Sequence, residues 1–164
     1  CLFGKVTGDE GPGVVKPRVG WGGMGMRIVA PGEMNKGLLA EADGDHIWQP
    51  FVDHVHTWTV AAWGDRKAIL LEKRAKGNDF RTNSEFGEEA RLVDDPGGLG
   101  LLGQRALDAV GLPVGTADLM EVDGTAVVLE VNSAPCLWYD QLPDLDLVGP
   151  MGRAVTKWLG GLTA

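Results

Sequence analysis

Three residues near the end of the chain have the types and spacing to hold a hard divalent cation. Val127-Val128-Leu129-Glu130-Val131-Asn132 reads as a buried strand, and Glu130 and Asn132, two apart, point to the same face of it. Upstream, Asp118 interrupts a second apolar run, Val114-Gly115-Thr116-Ala117-Asp118-Leu119-Met120. Two carboxylates and an amide offer only oxygen donors, the set that magnesium takes. Carboxylates set among Val and Leu are costly unless something cationic pairs with them. The plain alternative is two strand-end acids in solvent.

The metal reading places a demand on the hairpin that joins the two strands. Asp123-Gly124 is the obvious turn. A two-residue loop pairs Asp118 with Leu129 and puts Glu130 on the other face. A three-residue loop, Asp123-Gly124-Thr125, pairs Asp118 with Glu130 and converges the acids. The metal reading therefore predicts the longer loop, with Gly124 or Thr125 left-handed or bulged.

The elements that must position these residues belong to an ordinary globular chain. Its 164 residues suit one domain or two small lobes. A net charge of −8 argues against a nucleic-acid surface. No apolar run approaches a membrane span, and no signal peptide is visible. The only cysteines, Cys1 and Cys136, make neither a disulfide framework nor a zinc site, which favours a reducing, cytoplasmic compartment. The chain opens at Cys1 and runs almost at once into a core-like strand, as a fragment of a longer polypeptide would.

In chain order, Gly13–Pro17 is a short strand that carries Lys16. The loop Gly20-Trp21-Gly22-Gly23-Met24-Gly25 leads to a second strand, Met26–Val29. Glycines let backbone N–H groups approach an anion, and Lys16 supplies charge at the lip; a flexible hairpin is the bland reading. A helical turn is expected near Met34 to Glu41. The strand Ile47–Val52 holds Pro50, which confines it to a sheet edge. Thr57–Trp63 and Lys67–Arg74 form a hairpin that delivers a basic cluster, Lys73, Arg74, Lys76 and Arg81, suited to phosphate or simply solvated. Asp94-Asp95-Pro96 starts a helix through Leu99, Leu102, Ala106 and Val110, closed by Gly111. A last helix is expected from Pro150 to about Leu159, burying Val155, Trp158 and Leu159.

Taken together this order resembles the ATP-grasp superfamily, and most closely its branch of RimK-type ribosomal-protein glutamate ligases and bacterial glutathione synthetases. The resemblance runs from Gly13 to Trp138 and is strongest over Lys73-Arg74-Ala75-Lys76-Gly77-Asn78-Asp79-Phe80-Arg81-Thr82-Asn83 and Leu129–Pro135. It implies an α+β fold, an antiparallel sheet with helices packed on one face. Residues 1–52 would form part of a small lobe with a glycine-rich flap and hinge strand, and residues 53–164 the lobe with the metal site. It implies ATP contacts at Lys16, at Gly22, Gly23 and Gly25 of the flap, at the adenine hinge Pro50 and Phe51, and at Thr57, Arg74, Arg81, Thr82 and Asn83. Arg81 and Asn83 would also serve the reaction. Asp118, Glu130 and Asn132 would bind magnesium, or manganese in its place.

The implied reaction ligates a carboxylate to an amine through an acyl phosphate, with a peptide, protein or amino acid as acceptor. Partners beyond these substrates are not implied: no nucleic acid and no membrane, while a homo-oligomer is allowed. Where the branch carries Asp and Arg, this chain has Thr57 and Thr59. Much of the family's first lobe has no counterpart here, so the alternative is a non-catalytic nucleotide-binding or interaction module, or an incomplete piece of a ligase.

Overall fold

The computed structural model describes residues 11–30, 33, 46–54, 56–63, 67–83, 87–95 and 97–162. The chain divides into two compact units, Cys1–Asp53 and His54–Ala164.

In the first unit, β1 (Gly13–Pro17), β2 (Arg27–Val29) and β3 (His46–Pro50) make an antiparallel sheet in the order β2-β1-β3. The edge position of β3 is where Pro50 can omit its ladder donor. Val15 and Val29 form a small core under Trp48. The Trp48 indole lies directly on Gly13: a Cβ there would stand 1.8 Å from Nε1, so only glycine fits. The expected turn at Met34 to Glu41 lies outside the described residues.

The second unit is built on a five-stranded antiparallel sheet, β6-β5-β4-β7-β8. Its strands are β4 (His56–Trp63), β5 (Lys67–Ala75), β6 (Gly87–Leu92), β7 (Val114–Val122) and β8 (Thr125–Asn132). Strand β6, Gly-Glu-Glu-Ala-Arg-Leu, is not anticipated by the sequence. It lacks an apolar stripe, and what holds it is pairing with β5, a tertiary contribution that local propensity does not report.

Helix α1 (Leu99–Ala109) covers one face of this sheet, where Leu107 packs with Val60, Ala62, Leu70, Ala117 and Leu119. The close approach is made at Gly103, where a Cβ would come within 2.5 Å of the Val60 Cβ. Its start uses the expected acid in an unexpected way. The cap position is Gly98, left-handed at φ 75°, while Asp95 reaches forward to accept the N–H groups of Leu99 (2.7 Å) and Gly100 (2.9 Å). Its end is a Schellman turn, with Gly111 at φ 74° and the Leu112 N–H donated to the Leu107 carbonyl.

Helix α2 (Val148–Leu162) starts earlier than expected because Asp146 accepts the Gly149 N–H. Leu147 and Met151 pack on Ala61, on the sheet face away from α1. The expected burial of Val155, Trp158 and Leu159 is corrected: they are 38%, 44% and 51% exposed. Only the first turn of α2 belongs to this core, and helical periodicity does not say how far along a helix its partner extends.

Candidate metal centre and its cleft

Alternation along β4 sends Val60 and Ala62 toward α1 and Thr57, Thr59 and Ala61 to the opposite face. Register then assembles a polar cluster on that second face. Thr57 pairs with Lys73, and Thr59 pairs with Asp118.

Strand β8 reaches this cluster by a different device from the one expected. Asp123 (φ 50°) and Gly124 (φ 75°) form a two-residue turn that pairs Val122 with Thr125. The three-residue loop is thus corrected to a left-handed two-residue one. Continued unbroken, that register would set Glu130 toward α1. A β-bulge intervenes: Leu119 still pairs with Val128, but Asp118 pairs with Glu130, leaving Leu129 as the extra residue. The bulge returns Glu130 and Asn132 to the face of Asp118.

Asp118 Oδ1 accepts bonds from the Thr59 hydroxyl and from Lys73 Nζ, the latter at 3.3 Å. Asn132 Nδ2 donates to Glu130 Oε1 at 3.0 Å. Gly115 keeps room for this end of β8, since a Cβ there would stand 2.6 Å from the Asn132 carbonyl oxygen. Two acids and an amide on one face form a donor set that fits a hard cation. Among the described residues no group of three or more His, Cys, Asp or Glu gathers to hold a metal, at this face or any other; the set here is two acids completed by an amide.

The loop after β5 adds the remaining groups. Thr82 is buried and its hydroxyl lies 2.6 Å from that of Thr57. Arg81 is gripped by Asp79 through Nε (2.9 Å) and Nη2 (2.7 Å), and its own N–H also reaches Asp79. The Arg81 bonds, working against burial, bring the Asp79 carboxyl down to about 2, and the same bonds raise the guanidinium. Asn83 follows, half-buried.

Lys73 and Thr82 line a cleft of about 250 Å³ together with Trp138, Tyr139 and two acids, Glu89 and Asp140. Burial first, then the nearby Asp118 and Cys136, push the Tyr139 phenol well above its ordinary range, so it stays neutral.

Of the residues proposed from the sequence, Thr57, Thr82, Asp118, Glu130 and Asn132 come to one face or its margin. Arg74 does not. It pairs with His56 and lies on the other face of β5, donating to Glu72 at 3.1 Å. Lys73 takes the place beside the acids. The β4–β5 hairpin register carried that information, since it sets Thr57 against Lys73. The Asp79 clamp and Tyr139 had no such signal: one depends on loop geometry and the other on a chain reversal after β8. Lys16, Gly22, Gly23, Gly25, Pro50 and Phe51 lie in the first unit. There all three glycines have positive φ, and the Phe51 N–H extends the ladder to the Pro12 carbonyl.

No protein-family model matches the chain. A probable alpha-L-glutamate ligase of Haemophilus ducreyi is 31% identical over 114 residues, 68% of this chain and 37% of that protein. A probable alpha-L-glutamate ligase of Trichodesmium erythraeum is 27% identical over 91% of this chain and 52% of its own length. Among solved structures, the ATP-grasp ligase PsnB, complexed with a phosphomimetic variant of its minimal precursor, Mg and ADP, superposes with a TM-score of 0.67 at 20% identity, covering 90% of this chain and 46% of that one. A D-alanine–D-alanine ligase of Bacillus anthracis gives 0.59 at 20% identity, over 88% and 49%. The fold is that of the ATP-grasp enzymes. In sequence the chain is similar to these glutamate ligases over most of its length, and in fold to the ATP-grasp ligases. It spans about half or less of the length of these relatives.

Proposed function

We propose that this chain is the metal-bearing part of an ATP-dependent carboxylate–amine ligase. The observation that carries this reading is the bulge at Leu129, which sets Glu130 directly across from Asp118 with Asn132 on the same face. A scaffold gains nothing from two facing carboxylates, and like charges directly opposite cost stability unless a cation joins them.

In the reaction, a substrate carboxylate attacks the γ-phosphate of ATP, giving an acyl phosphate and ADP. An amine then displaces phosphate to form the amide. Asp118, Glu130 and Asn132 would hold magnesium, which when bound offsets the negative charge of the phosphates. Arg81, held rigid by Asp79, is assigned to the charge that spreads over the transferring group. Asn83 is assigned to the same group, and Thr57 and Thr82 to the nucleotide. Lys16, Gly22, Gly23, Gly25, Pro50 and Phe51 are assigned to nucleotide from the family resemblance. Glutamate, as in the names of the relatives, is the first candidate for the amino acid added, with a peptide or protein as acceptor.

Calorimetric titration with a non-hydrolysable ATP analogue, with and without magnesium, tests this. Magnesium-dependent binding that Asp118→Asn abolishes in a folded protein is the expected result. Binding by Asp118→Asn equal to that of the unaltered chain would remove the site assignment.

A further inference from the structure

Lys73 is fixed in a position that the ligase reading does not explain. Its side chain is 11% exposed and that of Asp118 is 15% exposed, so the pair is largely withdrawn from water. Asp118 is its one hydrogen-bond acceptor among the described residues. The ammonium therefore does for Asp118 what a metal ion would do, neutralising a carboxylate that would otherwise stand uncompensated beside Glu130. Lys73 also forms part of the wall of the cleft with Thr82 and Tyr139. From one backbone position the same side chain borders both the carboxylate and the cleft.

We propose that Lys73 is an internal counter-ion to the metal site, a positioning residue that occupies Asp118 when no metal is bound and passes to an oxyanion in the cleft when a metal takes the carboxylate. The inference rests on the ligase reading, which makes Asp118 a metal ligand. Two consequences oppose each other. The ammonium competes with the metal, because cation and lysine draw on the same carboxylate and repel one another at short range. Once displaced, it is the positive group of a cleft wall that also carries Glu89 and Asp140, and it offers a phosphate or carboxylate oxygen its cationic contact there. The site is thereby built to take metal first and anion second. A lysine suits this better than an arginine, being a compact charge on a flexible stem.

The test uses Lys73→Gln, which keeps a hydrogen-bond donor of similar reach and removes the charge, and Lys73→Arg, which restores the charge. Binding of manganese alone is followed by electron paramagnetic resonance, and melting temperature is measured with and without the ion. Lys73→Gln should bind manganese roughly tenfold more tightly, the scale of one partly screened charge. It should melt lower than the unaltered chain without metal and recover when manganese is added. In saturating manganese, two arms separate the anions: a non-hydrolysable ATP analogue for phosphate, and glutamate for carboxylate. Weaker binding of either one by Lys73→Gln identifies the oxyanion that receives the ammonium, and Lys73→Arg should return each value toward that of the unaltered chain. Unchanged or weaker manganese binding by Lys73→Gln would overturn the counter-ion role, as would retention of full affinity for both anions. In either case the metal site stands as long as Asp118→Asn abolishes manganese binding. If Asp118→Asn binds manganese normally, the metal assignment and this proposal fall together.

Discussion

Two acids lie well inside the five-stranded sheet, and they are treated in opposite ways. Glu72, on β5 and on the face that α1 covers, accepts bonds from Arg74 Nε (3.1 Å) and from Arg91 Nε and Nη2 (3.1 and 2.9 Å). Burial alone would push its carboxyl up, but the bonds from Arg74 and Arg91 outweigh that and hold it below its ordinary value. Asp118, on β7 and on the other face, has one lysine and one threonine, and a second carboxylate set opposite it. Glu72 carries two arginines on its Oε1, so its charge is offset within the fold. Asp118 and Glu130 together face one lysine, so the pair is left net negative, which is the condition for carboxylates to recruit a cation from solution. The contrast separates an acid whose charge is offset within the fold from one proposed to hold a metal, although both are nearly withdrawn from water.

The most severe way to break that contrast is to delete Leu129. Without the bulge, the two-residue turn carries its register through and sends Glu130 and Asn132 to the α1 face. Loss of all magnesium-dependent nucleotide binding is expected, and calorimetry checks it. Retained binding would mean that convergence of Asp118 and Glu130 is not what makes the site.

A second variant sharpens the comparison from the structural side. Glu72→Gln removes the charge that two arginines share and should cost on the order of 1–3 kcal/mol, toward the lower end because both guanidiniums are half-exposed and can return to water. Its affinity for magnesium should not change. Chemical denaturation and metal titration on the same variant separate the two effects, and a changed metal affinity would show that the two faces are coupled.

The smallest effect belongs to Asp79. Its folded value of about 2 lies below the ordinary 3.8, so its contribution to stability is complete above that ordinary value. It is lost as pH falls from there through about 2. Partial exposure of both side chains keeps the contribution modest. Asp79→Asn should flatten the acid limb of a stability–pH curve and leave the neutral region nearly unchanged. An unaltered acid limb would remove Asp79 as the group that holds Arg81.

Much of this was open to reading from residue order. Alternation along β4, the Asp123-Gly124 turn, the α1 periodicity and the oxygen-donor set are local patterns, and each is set within a few residues by backbone geometry. Asp118, Glu130 and Asn132 could be proposed because acids inside apolar runs are costly wherever they end up. The bulge could not be placed, because a two-residue turn and a three-residue turn are both consistent with Asp123-Gly124-Thr125. Which residue is left unpaired depends on how β7, already locked against β4, accepts β8. The exchange of Arg74 for Lys73 has the same origin, since the side of a strand that faces the site follows from pairing register. Strand β6, the Asp79 clamp and the placement of Tyr139 beside Asp118 rest on contacts between segments far apart in the chain. Local sequence therefore determined most of the strands, the place of the turn and the donor chemistry of this protein. Tertiary pairing decided which donors meet, because a shift of one residue along a strand exchanges its two faces and only the partner strand sets that shift.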